Sequence, residues 1–335
     1  MPPRVSVLIP AYNAESTIEA ALASILRQSC ADFEVVVVND GSTDSTPCIL
    51  ESIRARDERV RLIHVEQGGI IRALNTGLSA CEGEFVARMD ADDISHPERL
   101  RLQVEMMDAR PDISVCSCLI CMFPRANVLG GMERYERWLN SLVAPADISR
   151  DIFVESPVAH PSVMLRKKEL IEVGGYQEHG WAEDYDLWLR YHCAGKRFAK
   201  VERTLVCWRQ CEGRLTFTDG RYSLENFLRA KAHYIHDLLG ETRRPVVVWG
   251  AGKTGKRLLK QLERADIAVE AVIDIDPGKI GRSLRGRPIV GVNALGEMAD
   301  PFVISAVSSH AARELIREQL CEMSLAEGTD FICAA

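Results

Sequence analysis

A handful of short stretches in this sequence gather side chains able to do chemistry. Asp90-Ala-Asp92-Asp93 packs three carboxylates into four residues, directly after the apolar run Phe85–Met89. Carboxylates are hard oxygen ligands suited to magnesium or manganese, and three of them at one strand end repel one another unless a cation fills the gap. The plain alternative is a solvated acidic turn, since D-x-D tripeptides recur by chance. Glu183-Asp184 stands near the start of a stretch in which Leu187, Trp188 and Tyr191 recur at helical spacing. An acid in the first turn of a helix is held against the helix dipole and can be aimed, as a proton acceptor must be; an ordinary first-turn acid is the competing reading. Pro10-Ala-Tyr12-Asn13 and Asn39-Asp40-Gly41 each close an apolar run with turn-forming, polar residues. Far downstream, Gly250-x-Gly252-x-x-Gly255 is followed by Asp274, 19 residues past Gly255.

These stretches need elements to position them. Val5–Pro10 is a short β-branched run ended by Pro10. Ser16-Thr-Ile-Glu19 has the form of a capping box, and Ile18, Ala21, Leu22, Ile25 and Leu26 fall on one helical face. Phe33–Val38 is continuously apolar, as a strand buried on both faces requires. The cluster Ser42–Thr46 caps a helix from Cys48 to Arg56. Val60–Val65 reads as a strand, Ile70–Ala80 as a helix and Glu84–Met89 as a strand. The alternation predicts a parallel sheet covered by helices over about the first 100 residues, and ligands of such sheets bind beyond the carboxyl ends of the strands. Residues 90–180 are broken by scattered prolines, with Val163–Leu165 as one further strand and a helix ending at Gly174-Gly175. Residues 221–239 read as a linking helix. The α/β pattern then restarts: strand Val246–Trp249, the glycine loop, helix Lys256–Arg264, strand Val269–Ile275 and strand Phe302–Val307.

Composition narrows the class. The 335 residues are 47% hydrophobic and 27% charged with a formal net charge of -7, which suits a two-domain globular protein and argues against a nucleic-acid partner. The N-terminal apolar run is too short for a signal-peptide core, and no stretch approaches the ~20 apolar residues of a membrane span. A cytoplasmic protein is the expectation. The odd count of 11 cysteines then reads as buried thiols. Cys116, Cys118 and Cys121 with Cys207 and Cys211, the last two on an apparent strand, leave a structural zinc site as the minority alternative to small core residues.

Taken together, Val5-Ser-Val-Leu-Ile-Pro-Ala-Tyr-Asn13, Val35-Val-Val-Val-Asn-Asp-Gly-Ser-Thr-Asp44, Arg88-Met-Asp-Ala-Asp-Asp93 and Glu183-Asp-Tyr-Asp-Leu-Trp188 resemble the ordered motifs of family 2 glycosyltransferases over about residues 4–225. The resemblance implies an α/β GT-A nucleotide-diphospho-sugar transferase fold and an inverting, metal-dependent transfer of a sugar, with UDP as the expected carrier, to an acceptor hydroxyl on a glycan or lipid-linked glycan. By position, Pro10, Tyr12, Asn13 and Asp40 resemble the nucleoside pocket, with Asp40 accepting from the base. Asp90 resembles the residue near ribose and donor sugar, Asp92 the metal ligand and Asp184 the catalytic base. Arg209, after Trp208, resembles an element approaching the diphosphate. Leu74 stands where the family often has an Arg, leaving Arg72 as either a phosphate contact or an exposed helix arginine, and Cys211 stands near where a His is often found. His160 and Glu183 are candidates on the acceptor side, with a satisfied loop histidine as the alternative for His160.

The glycine loop Gly250, Gly252, Gly255 with Asp274 has the context of a dinucleotide fingerprint. Residues 243–335 resemble the small Rossmann-like N-terminal domain of bacterial sugar acyltransferases, which makes them either a second nucleotide site or a structural or oligomerising domain. The expected division is 1–225 transferase domain, 226–242 linking helix and 243–335 Rossmann-like domain, with peripheral membrane association and a homo-oligomer as further expectations. The rival to an enzyme is a nucleotide-sugar-binding regulatory protein on a transferase scaffold. An oxidoreductase centred on residues 245–335 lacks an evident catalytic His, Cys or Tyr-x-x-x-Lys there.

Overall fold

The structure, a computed structural model, describes residues 2–211, 213–240 and 244–335. Strands β1 (Val5–Ala11), β2 (Phe33–Asp40), β3 (Val60–Val65) and β4 (Phe85–Arg88) alternate with helices α1 (Ile18–Leu26), α2 (Thr46–Arg54) and α3 (Ile70–Ala80). They lie parallel in the order β3-β2-β1-β4. Side chains alternate across a strand, so Leu8, Val36 and Val38 pack with Ala73 and Leu74 of α3, while Val7, Ile9, Val35 and Val37 pack with Ile18, Leu22 and Ile25 of α1. Both faces are covered, which is why β2 is buried at every position.

The chain continues through β5 (Ile94–Ser95), α4 (Arg99–Ala109), β6 (Ile113–Phe123), α5 (Gly130–Ser141), α6 (Pro145–Asp151), β7 (Met164–Arg166), α7 (Lys167–Glu172), α8 (Glu183–Cys193) and β8 (Arg197–Arg209). These extend the sheet as β4-β7-β6-β8-β5. Strand β7 runs antiparallel to β4 and β6, β8 parallel to β6, and β5 antiparallel to β8. The stretch that prolines made look irregular therefore holds β6, one of the longest strands.

After α9 (Leu215–Thr218) and α10 (Leu224–Leu239), a second sheet forms from β9 (Val246–Trp249), β10 (Val269–Ile273), β11 (Ser283–Leu284), β12 (Arg287–Val290), β13 (Phe302–Ser305) and β14 (Phe331–Cys333). Its order is β11-β12-β10-β9-β13-β14, parallel except for the β11–β12 pair. Helices α11 (Lys253–Arg264) and α12 (His310–Glu322) complete it. The fold is thus α/β throughout: a GT-A-type mixed sheet followed by a smaller, Rossmann-like one.

The second unit is fastened to the first by buried polar contacts as well as apolar packing. Arg317 of α12 ion-pairs with Asp151 at the end of α6, and Asp151 also accepts from Trp138 Nε1 at 3.2 Å. Lys231 of α10 donates to Val154 O at 2.8 Å and to Ala334 O at 3.0 Å. Breaking such a pair by removing one partner costs about 3–5 kcal/mol.

Three local expectations are corrected. Ser16 and Glu19 do not form a capping box: α1 starts at Ile18, and the carbonyl of Ala14 takes the amides of Thr17 and Ile18 instead. Cys211 lies beyond the end of β8, so it does not share a strand face with Cys207. The linking helix is α10, which begins before residue 226, with the Ser223 hydroxyl accepting from Asn226 N, and ends at Leu239. The proposed boundary at residues 242 and 243 lies outside the described residues. Among the described residues, no helix is long and apolar enough to cross a membrane.

Candidate active site

The carboxyl ends of β1, β2 and β4 open on one edge of the large sheet. At the end of β2, Gly41 takes φ +68° with Gln67 N only 2.6 Å from where a Cβ would sit, so the turn requires glycine. Asp40 is buried, and its two carboxylate oxygens accept from Gly68 N and Gly69 N, each at 2.8 Å. The acid thereby fixes the loop that leads into α3. Asn13, at φ +48°, donates from its amide to Ser42 Oγ at 2.9 Å and accepts from Thr43 N at 2.8 Å, tying the β1 end to the β2 end. Tyr12 is 46% exposed beside it, and Pro10 is half-buried. Arg72 projects from α3 and folds against Gly68; among the described residues it makes no hydrogen bond or ion pair, so its charge is free for a ligand. Leu74 is fully buried, and Asn75 clasps Tyr176 through both amide atoms, at 2.8 and 3.0 Å.

At the end of β4 the acidic trio converges: one oxygen from each of Asp90, Asp92 and Asp93 lies within 4.8 Å of the others. Among the described residues this is the group of three or more metal-capable side chains that comes together; the cysteines form no such cluster. Asp93 is fully buried, accepts from Arg209 N at 2.7 Å through Oδ1, and leaves Oδ2 without a partner. Burial, then the charges of Asp90 and Asp92, push Asp93 well above the usual carboxylate range. Burial and Asp90 push Asp92 up to about 6. A partly buried cluster of hard oxygen donors with an orphaned oxygen and mutual repulsion suits a divalent cation.

Cations of the chain surround this cluster. Arg88, 2% exposed, ion-pairs with Asp90. Arg99 donates to the carbonyl of Arg88 at 2.7 Å, steadying the strand end. Arg209 donates from Nε to Asp92 O at 2.7 Å and lies over the Phe123 ring at 4.5 Å, and Arg214 lies over Trp208 at 4.4 Å. The Trp208-Arg209 element therefore lies against the acidic loop.

Asp184 and Glu183 enter at the start of α8. Asp184 is half-buried and accepts from Tyr185 N at 2.7 Å through Oδ1. Burial, then the Glu183 carboxyl, raise it to about 7. Glu183 is 1% exposed and accepts from Tyr222 Oη at 2.7 Å; burial leaves it raised despite that bond. His160 is 5% exposed, pairs with the Tyr176 hydroxyl at 3.1 Å and packs edge-on against Trp188. Burial and the charge of Arg88 keep its imidazole neutral, so its 3.9 Å approach to Glu183 is not a charged pair. His160 and Glu183 are thus buried rather than on an open surface. Tyr135, bonded to Ser156 O at 3.0 Å, senses both Asp184 and Arg214, while Arg214 senses Asp92 and Asp93, so the two acidic groups share one electrostatic neighbourhood. Arg88, Tyr135, Tyr176, Arg214 and Tyr222 escaped the sequence reading; the signal available was Arg88 inside the acidic motif itself.

The glycine loop of the second sheet differs. A Cβ on Gly255 would lie 1.7 Å from Gly250 O, which explains that glycine by packing alone. Asp274 Oδ2 accepts from Ala251 N at 2.8 Å and Lys279 Nζ at 3.0 Å, and Oδ1 accepts from Asp276 N at 2.9 Å. The acid expected to receive ribose hydroxyls is already bonded to its own domain.

A parallel β3-β2-β1-β4 half-sheet extended into a mixed sheet, with an acidic trio at the end of β4, has the architecture of the GT-A fold class. The sequence profile described as "Glycosyl transferase family 2" matches residues 6–175, and the chain belongs to that family. A second profile, "C2185-like, N-terminal", matches residues 242–329. The amylovoran biosynthesis glycosyltransferase AmsE of Erwinia amylovora is 32% identical over 204 residues, which span 60% of this chain and 74% of the relative. Among solved structures, S. aureus TarS 1–349 in complex with UDP superposes with a TM-score of 0.55 at 23% identity, covering 78% of this chain and 71% of that one. The mannosyltransferase PcManGT from Pyrobaculum calidifontis, in complex with GDP-Man and Mn2+, superposes with a TM-score of 0.52 at 21% identity over 80% of this chain and 71% of that one. At those identities the solved structures speak for the fold alone.

Proposed function

We propose that this glycosyltransferase moves a sugar from a nucleoside diphosphate donor, with UDP as carrier, onto an acceptor hydroxyl with inversion at the anomeric carbon. The observation that carries the reading is the pair of unbalanced acidic centres: an acidic trio with an orphaned oxygen on Asp93, and Asp184 raised to about 7. A regulatory sugar-nucleotide sensor would have use for the first but not for the second. The UDP bound to TarS and the GDP-Man and Mn2+ bound to PcManGT support the donor class.

In this reading Tyr12, with Pro10 and Asn13, receives the base at the ends of β1 and β2, near Asp40. Arg72 and Arg209 offset the charge of the donor phosphates, and Asp90 stands near its ribose and sugar. Asp92, with Asp90, would hold magnesium or manganese. Such an ion, when bound, supplies charge stabilisation to a departing diphosphate. Asp184 accepts the proton of the acceptor hydroxyl at Oδ2, since Oδ1 is held by Tyr185 N. Glu183 aims α8 through its bond to Tyr222, and neutral His160, bonded to Tyr176, packs against Trp188 of the same helix. The name of AmsE, an amylovoran biosynthesis enzyme, favours a glycan or lipid-linked glycan acceptor. For residues 243–335 the bonds around Asp274 and the Asp151–Arg317 pair favour a docked structural domain over a second nucleotide site.

The test is a thermal-shift screen of nucleotide sugars with manganese, followed by transfer to a simple acceptor and determination of the anomer by NMR. A retained anomeric configuration would overturn inversion, and undiminished turnover in Asp184→Asn would remove Asp184 from its role.

A further inference from the structure

Two thiols outside the acidic site lie in contact. Strands β6 and β8 run parallel with Cys121 directly opposite Cys207, and their sulfurs are 3.2 Å apart. Both residues are half-buried, so small solutes reach them, whereas Cys116 and Cys118 on the same strand are sealed in the core. Opposed positions on neighbouring strands bring the Cα atoms within the roughly 4.4–6.8 Å that a disulfide spans. Bond formation requires the sulfurs to close to ~2.05 Å, a movement of about one ångström.

That movement occurs beside the acidic cluster. Cys207 pairs across its other edge with Ile94, the residue that follows Asp93. Trp208 and Arg209 follow Cys207 in the chain, and Arg209 holds Asp93 Oδ1 from its amide and Asp92 O from its Nε, each at 2.7 Å. Pulling Cys207 toward β6 draws on the strand that carries those two bonds.

We propose that Cys121 and Cys207 form an oxidisable dithiol, a modification site whose closure to a disulfide displaces Arg209 and lowers transferase activity. The oxidant is a low-molecular-weight disulfide such as glutathione disulfide. One cysteine thiolate, its proton released to solvent, attacks a glutathione sulfur, forming a mixed disulfide and expelling one glutathione thiolate. The second cysteine thiolate then attacks the protein sulfur of the mixed disulfide and expels the second glutathione thiolate. Two protein thiols and one glutathione disulfide thus become one protein disulfide and two glutathione thiols. The activity arm rests on the function proposed above; the covalent arm does not.

The full chain is tested with exposed Cys48, Cys193, Cys211 and Cys321 and half-buried Cys30 changed to Ser, to remove competing thiols. It is incubated in glutathione buffers of stepped ratio, alkylated and mapped by mass spectrometry, with turnover followed in parallel. A Cys121–Cys207 peptide pair is expected, two hydrogens lighter. Turnover should fall at least tenfold in step with it, since ångström-scale displacement near a reacting centre costs up to ~10²-fold. Dithiothreitol should restore activity, and Cys121→Ser should resist oxidation. Absence of the linked peptides at any ratio overturns the dithiol. Linked peptides with full turnover overturn its control over Arg209, and equal sensitivity in Cys121→Ser assigns the loss to other thiols and overturns it as well.

Discussion

Two strand ends in this molecule carry acids beside a turn or a glycine loop, and they have opposite fates. At the end of β4 three carboxylates crowd together, one buried oxygen of Asp93 has no partner, and Asp92 is pushed up to about 6 by burial and Asp90. At the end of β10, Asp274 is also buried, which alone would raise it. The amides of Asp276 and Ala251 and the ammonium of Lys279 outweigh that and hold it below its ordinary value. Similar residue types at equivalent places in an α/β fold thus make an open electrostatic site in one case and a finished structural joint in the other. The difference is whether the protein's own charges and hydrogen bonds satisfy the acid in full: Arg88 and Arg209 meet the trio only in part and leave Asp93 Oδ2 without a partner, whereas both oxygens of Asp274 are taken. Where an oxygen is left over, a ligand can supply its partner.

Removing the acid at each place breaks or sharpens that contrast, and effects on turnover should descend in a definite order. Asp184→Asn is expected to lower turnover by about 10³-fold, within the range for loss of a general base, while the donor dissociation constant measured by calorimetry stays within about twofold. Asp92→Asn should cost about 10²- to 10³-fold, as loss of preorganised charge stabilisation does. Chelation by EDTA should abolish wild-type turnover and manganese should restore it; turnover that persists in EDTA would mean that the β4 end is an acidic turn and nothing more.

The pH profile comes next in size. Asp184, at about 7, accepts a proton only when ionised, so kcat/KM of the free enzyme should fall about tenfold per pH unit below that value and level off above it. The Glu183 carboxyl contributes to the upward shift. Glu183→Gln should therefore move the acid limb to lower pH, and a limb that stays in place would mean that Glu183 does not set it. Neutral His160, held far down by burial, cannot produce it.

Much of this was written in the sequence because its signals were local. The run Val5–Pro10 announced a strand and Phe33–Val38 a strand buried on both faces; the acids at 90, 92 and 93 stood at a strand end, where the fold brings them together, and Asp184 at a helix start. What the sequence hid depends on distant partners. Strand β6 is an apolar run rich in cysteine, and it becomes a strand through pairing with β8, more than eighty residues on in the chain; Cys121 meets Cys207 there. Arg88 lay inside a quoted motif, yet its role as the buried counter-charge to Asp90 needs the sheet around it. The clasp of Tyr222 on Glu183 joins residues 39 apart. Asp274 misled for the same reason: its spacing from the glycine loop suits a ribose, but Lys279 lies one turn downstream and reaches it first.

The smallest effect on turnover should come from Asp274→Asn, and it tests the finished joint directly. The amide nitrogen that replaces one carboxylate oxygen would face Ala251 N–H, Asp276 N–H or the Lys279 ammonium, a donor against donors. Leaving such a buried group unsatisfied costs about 1–3 kcal/mol, read as a drop of several degrees in the melting transition. Turnover of the surviving folded enzyme should stay within about twofold, because the large sheet does not depend on that carboxylate for its own geometry. A fall in turnover without a fall in melting temperature would mean that the glycine loop takes part in the reaction. The two strand ends would then be two working sites rather than one site and one joint.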